Sequence, residues 1–473
     1  MTRFPSLRSL PLLTTLSTSL LLAGCGALVQ TPYTRPDTQT PAQWQNAPAE
    51  SAVPQDDGGD WWRNFNDASL DSLMERVLQT NNDLAAATLR VRRAQLQAGM
   101  ADTNLYPTVS ASGSSNTQRN LRGDGTRSES YSVSAGLSWE VDLWGRLESL
   151  SDAAEWTALA TEQDRQATRL ALIGTTLQLY WQAALLNERI ATARFSLEVS
   201  ERTLELVRGQ YRSGAVSGLE VAEAESTLAS QRASLADLQR QRGETLTALS
   251  ILTDTPPSQD VSIPERLPDA APPTVQAGVP AELLGRRPDL RAAELRLRST
   301  LASGDATRAN YYPRLSLTGS LGSASSALAN VLQNPVGTLG AGLILPFLQW
   351  NQMRLDSAIS RNQYEEAVVN FRQSLYQAMA EVENALAARG SLTFQGTELQ
   401  TSLDSAQRAE QIYEARYRAG AVALRTWLDA QERRRQAEIS VSQNRYNRYL
   451  NQVTLYQALG GDALADTPEP SAQ

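Results

Sequence analysis

The chain runs to 473 residues with a formal net charge of −8, 43 basic against 51 acidic residues, no His and one Cys. Every basic residue is Arg, and without His a Ser-His-Asp triad, a Cys-His dyad or a Cys/His zinc site cannot be assembled within one chain. No basic tract stands out and no glycine-rich loop opens a helix, so nucleic acid is not an expected partner, and no catalytic, metal or cofactor site is in view.

At the N-terminus Arg3 and Arg8 precede an apolar run from Leu10 to Ala23, which ends in Leu22-Ala23-Gly24-Cys25. A positive region, a short apolar region and small residues before a cleavage point form an export signal. The run is shorter than the ~20 residues of a spanning helix. The Leu-Ala-Gly-Cys string resembles the bacterial lipobox, which implies a signal peptide over 1–24 and lipidation of Cys25. Gly26 follows rather than Asp, so no inner-membrane retention signal is expected. Residues 25–60, rich in Pro and Gln and without a period, are expected to form an extended strap.

From there the chain is written twice. Asp83–Ser114 lies over Asp289–Ser320 at an offset of 206 residues, with 13 of 32 pairs identical; unrelated sequence would give roughly two. Tyr211-Arg212-Ser213-Gly214-Ala215-Val216 falls on Tyr417-Arg418-Ala419-Gly420-Ala421-Val422 at the same offset. A period this long is a duplicated half. The halves are read as 61–255 and 281–461, joined by a Pro-rich linker over 256–280, with a disordered tail over 462–473.

Each half is expected to be a helix–hairpin–helix unit. Strands are expected at about 107–119 and 129–143, and again at 313–325 and 336–348. Tyr131, Val133, Ala135, Leu137, Trp139, Val141 and Leu143 alternate with small or polar residues, long enough for the ~9–11 residues of a membrane strand. After Pro107 there is no Pro until Pro256, and after Pro346 none until Pro468. Such gaps admit very long helices, since Pro breaks the helical ladder; Gly145 to Tyr211 would span ~100 Å. Tyr364, Val368, Phe371, Leu375, Ala378, Val382 and Ala385 step by alternating fours and threes, as do Leu170, Ile173, Leu177, Tyr180 and Ala184. That is a coiled-coil seam. A second row, Ala367, Met379 and Leu386, gives each helix a second neighbour. An ordinary helical bundle and soluble hairpins fit the same patterns. Two equivalent hairpins behind a lipobox favour the membrane.

A sheet in lipid cannot keep an open edge, and four strands cannot close a barrel. Copies must therefore pool strands, and a trimer with twelve leaves room inside. The expected fold is mainly α, with a transmembrane β-barrel portion continued by a helical coiled-coil barrel.

The chain resembles the TolC/OprM-type outer-membrane efflux factors, lipoprotein branch (NodT/OprM-like). The likeness rests on Thr31-Pro-Tyr-Thr-Arg-Pro36, Trp61-Trp-Arg-Asn-Phe-Asn-Asp67, Asp142-Leu-Trp-Gly-Arg146, Arg286-Arg-Pro-Asp-Leu290, Tyr312-Pro313, Leu428-Asp-Ala-Gln431 and Ala458-Leu-Gly-Gly461. It implies a homotrimer in the outer membrane of a Gram-negative bacterium, with a tunnel of twelve helices across the periplasm. It also implies a periplasmic adaptor and an inner-membrane pump, commonly of the resistance–nodulation–division type. In the family the two helical hairpin tips close the tunnel after a Tyr-x-x-Gly turn. That turn occurs here at Tyr211–Gly214 and Tyr417–Gly420, with Val216 and Val422 beside it at the adaptor-facing tips. The constriction aspartate matches Asp429 and the gate tyrosine Tyr417, while Glu220 stands at the first tip. Arg425 and Arg433 are partners for Asp429 by spacing. Where relatives often read Asp-Ala-Gln-Arg this chain has Glu432 before Arg433, which moves that Arg to i+4. A duct for protein secretion, a trimeric surface stalk and a periplasmic structural lipoprotein are the competing readings.

Overall fold

The computed structural model describes residues 29–46, 60–123, 125–256, 262–273, 275 and 277–461. The leader, the lipobox with Cys25 and the tail expected over 462–473 lie outside the described residues. The elements are α1 (Ala68–Thr80), α2 (Asn82–Asp102), β1 (Thr108–Arg119), β2 (Arg127–Val141), α3 (Arg146–Arg212) and α4 (Gly218–Leu252). A Pro-rich stretch and a helical turn at Leu283–Arg286 lead to α5 (Pro288–Ala309), β3 (Arg314–Ser325), β4 (Val336–Ile344), α6 (Trp350–Arg418) and α7 (Leu424–Ala458). The fold is mainly helical with one four-stranded sheet. β1 and β3, like α4 and α7, begin and end 206 residues apart.

The chain divides into two compact units, one of residues up to Thr38, 89–163 and 292–373, the other of 39–88, 164–291 and 374–473. In the first, the strands run in the order β1-β2-β3-β4, all antiparallel. One rung joins Val109, Leu137, Gly319 and Leu339, and the next joins Thr108, Ser138, Thr318 and Gly340. Successive side chains point to opposite faces, so one face is aliphatic and the other is small and polar. Both faces are largely exposed, with Leu339 at 92% and Val109 at 78%. Ser112 bonds Ser134 at 2.9 Å and Ser114 bonds Ser132 at 2.8 Å on the polar face. β4 stops at Ile344, short of the expected 348, because Pro346 has no N–H for the ladder and opens a 3-10 turn. β2 ends at Val141 rather than 143, where the Asp142 carboxylate accepts the Glu148 N–H (2.8 Å) and turns the chain into α3.

The strap residues of this unit are held by buried carboxylates. The Thr31 N–H and hydroxyl donate to Asp305 at 2.7 and 2.9 Å, and Arg35 forks onto Glu294 at 2.8–3.2 Å. Burial and the Glu294 charge push Tyr33 up to about 12, so its hydroxyl stays a donor to that carboxylate.

In the second unit the core lies where the seam spacing placed it. Ile173, Leu177, Tyr180, Ala184, Leu375, Ala378 and Val382 are each at most 1% exposed. The Trp61-Trp62 pair is buried with Ile173, Leu177, Tyr180 and Ala184, and Trp61 stacks on Tyr456 at 4.5 Å. Asp67 caps α1 through the N–H groups of Ser69 and Leu70 and accepts the Tyr180 hydroxyl at 2.7 Å. Gly174 does not interrupt α3. A Cβ there would lie 1.9 Å from Gln457 Nε2, so the glycine leaves room for the Gln457 side chain of α7 against α3. Among the described residues no helix is long and apolar enough to cross a membrane.

Candidate functional site: the two helix-hairpin tips

The turns joining α3 to α4 and α6 to α7 share one backbone solution. Gly214 and Gly420 both have φ of 75°. The Gly214 N–H bonds the Tyr211 carbonyl (3.0 Å) and the Ala215 N–H bonds that of Gln210 (2.9 Å). Gly420 and Ala421 repeat this onto Tyr417 (2.9 Å) and Arg416 (2.8 Å). These paired bonds form a Schellman closure, and its left-handed residue favours glycine because a Cβ is strained there.

The side chains then diverge. At the first tip Ser217 caps α4. Its hydroxyl accepts the Leu219 N–H (3.2 Å), while Glu220 reaches back to the Ser217 N–H (2.9 Å) and hydroxyl (2.5 Å). Hydrogen bonding from Ser217 holds the Glu220 carboxyl below its ordinary range. Glu220, named from sequence as a gate residue, is engaged here as half of a capping box. Tyr211 is 52% exposed.

At the second tip the cap position is Ala423, which makes no side-chain cap. Tyr417 is 6% exposed, stacks on Trp427 at 5.3 Å and 28°, and donates to Gln210 Oε1 at 2.6 Å. Burial, and then the Glu220 charge, push its hydroxyl above the usual tyrosine range. Leu204, Val207, Ala224, Leu228 and Leu424 complete one apolar cluster shared by both tips. Val216 and Val422 pack against that cluster half-buried, whereas Leu219 is 65% exposed. At these turns Leu219 and Tyr211, rather than the two valines, are the more exposed apolar side chains.

Asp429 is exposed, and its carboxylate turns back to Arg425 (3.7 Å), not forward to Arg433. Arg433 is exposed and makes no ion pair among the described residues. Arg425 also lies 3.6 Å from Glu223 on α4, so one guanidinium sits between two acids from different helices. Glu223 was not singled out from sequence, although it stands 206 residues before Asp429 and so occupies the equivalent place in the first half. Arg434, next to the named Arg433, is also new. It is 8% exposed, paired with Glu410 (2.5 Å) and Glu438 (2.6 Å), and lies 5.9 Å over the Phe195 ring. Its seven-residue spacing from buried Trp427 puts it on the inward stripe. Together Ser200, Glu223, Thr227, Arg425, Asp429 and Arg434 line part of an open polar cleft of about 530 Å³. The cleft has charges of both signs, a surface that can hold or repel ions.

The description "Outer membrane efflux protein" matches residues 73–253 and again 279–461, starting 206 residues apart. The chain belongs to the outer membrane efflux protein family. Among curated members it is 34% identical to the pyoverdine export outer membrane protein OpmQ of Pseudomonas putida, over 90% of this chain and 93% of that one. It is 31% identical to the toxin and drug export protein A of Aggregatibacter actinomycetemcomitans, over 85% and 88% respectively. The fold superposes on the open state of the Neisseria gonorrhoeae MtrE outer membrane channel with a TM-score of 0.81 and 29% identity, covering 93% of this chain and 99% of that one. As a member of the efflux family, the chain is an outer-membrane efflux channel, and its relatives are channels rather than enzymes.

Proposed function

We propose that three copies of this chain pool their sheets into a twelve-stranded barrel, anchored by a lipid on Cys25, and continue it as a helical duct closed at the tips. The observation that carries the reading is the sheet itself. It has an aliphatic face, a small polar face and two edge strands, β1 and β4, with no further partner among the described residues. In hydrocarbon such edges must be paired, and pairing β4 of one copy with β1 of the next leaves none. Exposed Leu89, Leu96 and Met100 on α2, and Leu355, Ile359 and Val369 on α6, supply apolar surface for contacts between copies. The duplication of one unit at 206 residues gives each copy two hairpins and two tips.

The duct works passively. A periplasmic adaptor and an inner-membrane pump, of the resistance–nodulation–division type, deliver small toxic or exported compounds to it. The pyoverdine cargo in one relative's name favours small molecules over secreted protein. The shared Arg425, with Glu223 and Asp429, sets the closed state. Three-fold repetition brings these charges towards one axis, where acidic rings favour cations.

The barrel reading is tested by paired substitutions on adjacent residues of β2. Leu137→Arg on the aliphatic face should cost about 2–4 kcal/mol near the bilayer midplane and sharply reduce heat-resistant trimer in outer-membrane fractions. Ser138→Arg on the polar face should assemble normally. Equal trimer yield from both would mean that the alternation does not separate lipid from lumen.

A further inference from the structure

The turn between β1 and β2 ends in a charge cluster that the strand geometry does not require. Arg119 and Arg127 are register partners at the last rung of that ladder, on the same face as Val109 and Leu137. Like charges directly opposite one another destabilise a sheet, and Arg122 in the turn adds a third cation. Glu129 takes up Arg127 at 2.5 Å and the Tyr131 hydroxyl at 3.1 Å. Among the described residues Arg119 and Arg122 have no ion-pair partner; three Arg against Asp124 and Glu129 leave residues 119–129 at a net +1.

The other hairpin is an internal control. At the 206-residue offset Arg119, Arg122 and Arg127 become Ser325, Leu328 and Gln333, and residues 326–335 carry no charge. The second hairpin forms its strands without a cationic rim, so the first hairpin's arginines serve something else.

Their position indicates what. Along β2 towards the turn, the outward face passes from Leu137 and Val133 to the Tyr131 ring, then to Glu129 and Arg127. Aromatic side chains mark the boundary between hydrocarbon and headgroups in membrane barrels. The arginines stand just beyond that mark, on the lipid side. Guanidinium forks match phosphate oxygens with paired, charge-assisted hydrogen bonds. We propose that Arg119 and Arg127, assisted by Arg122, bind the phosphates of an anionic lipid headgroup in the leaflet on the turn side of the sheet. This rests on the membrane-barrel reading above.

The test uses the full-length purified protein in micelles, with trimer scored separately on gels so that failure of the barrel reading is distinguished from failure of this one. The probe is a bisphosphorylated glucosamine-disaccharide lipid, with its dephosphorylated form and inorganic pyrophosphate as separate arms. Wild type should retain the bisphosphorylated lipid, Arg119→Gln/Arg127→Gln should retain it about tenfold less at unchanged trimer yield, and the dephosphorylated lipid should bind both weakly. Should the double variant lose the trimer, Arg119→Gln alone, which gives up no ion pair among the described residues, is read for the same loss. Equal retention by wild type and variant, or indifference to the phosphates, would overturn the proposal. Displacement by pyrophosphate at equal concentration would also overturn it, assigning the cluster to free phosphate.

Discussion

The two tips share a backbone turn, a glycine at the same φ and the same pair of carbonyl bonds, yet they are fastened by opposite means. The first is closed locally, by Ser217 and Glu220 bonding within three residues, and leaves Tyr211 in solvent. The second has no side-chain cap at Ala423. It is closed by packing, with Tyr417 on Trp427, and by reaching across to Gln210 and Glu223 of the first half. A local cap stabilises one helix end and transmits nothing. Cross-helix contacts tie one helix pair to the other, so a movement of α7 must break the Arg425–Glu223 contact or carry α4 with it. On the proposed closure at the tips, this asymmetry assigns opening to the second tip and leaves the first to stay folded while it happens.

Hydrogen exchange of the two tip segments, read by mass spectrometry, can break this comparison. The largest effect is expected for Trp427→Ala, where losing a buried indole costs about 3–5 kcal/mol. Residues 413–430 should lose protection by orders of magnitude while 218–222 change little. Equal loss at both tips would mean that the apolar cluster, not the individual fastening, decides local stability.

Ser217→Ala should cost about 1 kcal/mol and act only on the start of α4. Because Glu220 is held below its ordinary range in the fold, its contribution is present above that range and is lost as pH falls through the lowered value. Protection of the first tip, corrected for intrinsic exchange, should therefore decline in acid, and decline less in the variant. An identical decline in both would detach the cap from Glu220. The smallest effect on stability is expected for Arg425→Ala, at most about 1 kcal/mol for exposed pairs and weaker at high salt. A loss much larger than that would mean that Arg425 is a structural strut and not a labile latch.

Much of the frame was legible in the sequence, because each part has a one-dimensional signature. Proline gaps bounded the long helices, seam spacing picked out Leu177 and Leu375, and alternation from Tyr131 to Val141 marked the longest strand. Strand ends were less so: Pro346 stops β4 early, although the apolar alternation runs on to Phe347. At the tips, Ser217-Gly218-Leu219-Glu220 is a capping box by spacing alone, but likeness to a family had assigned Glu220 to the gate. The partner of Asp429 was not readable from α7 in isolation. Arg425 also lies 3.6 Å from Glu223, which approaches from another helix and is invisible to spacing along one.

The claim that the tips close an otherwise open duct is tested most directly by single-channel recording of the reconstituted trimer, comparing wild type, Asp429→Ala and Asp237→Ala. Asp237 lies mid-helix on α4, paired with Arg240 at 2.7 Å and Gln241 at 2.7 Å, and serves as a charge-matched control away from the tips. The account predicts discrete, cation-preferring openings in wild type and Asp237→Ala alike. In Asp429→Ala it predicts weaker cation preference, longer openings and leakage of large antibiotics in cells. Indistinguishable conductance and selectivity in all three would contradict it, leaving Asp429 a solvated charge on a helix face.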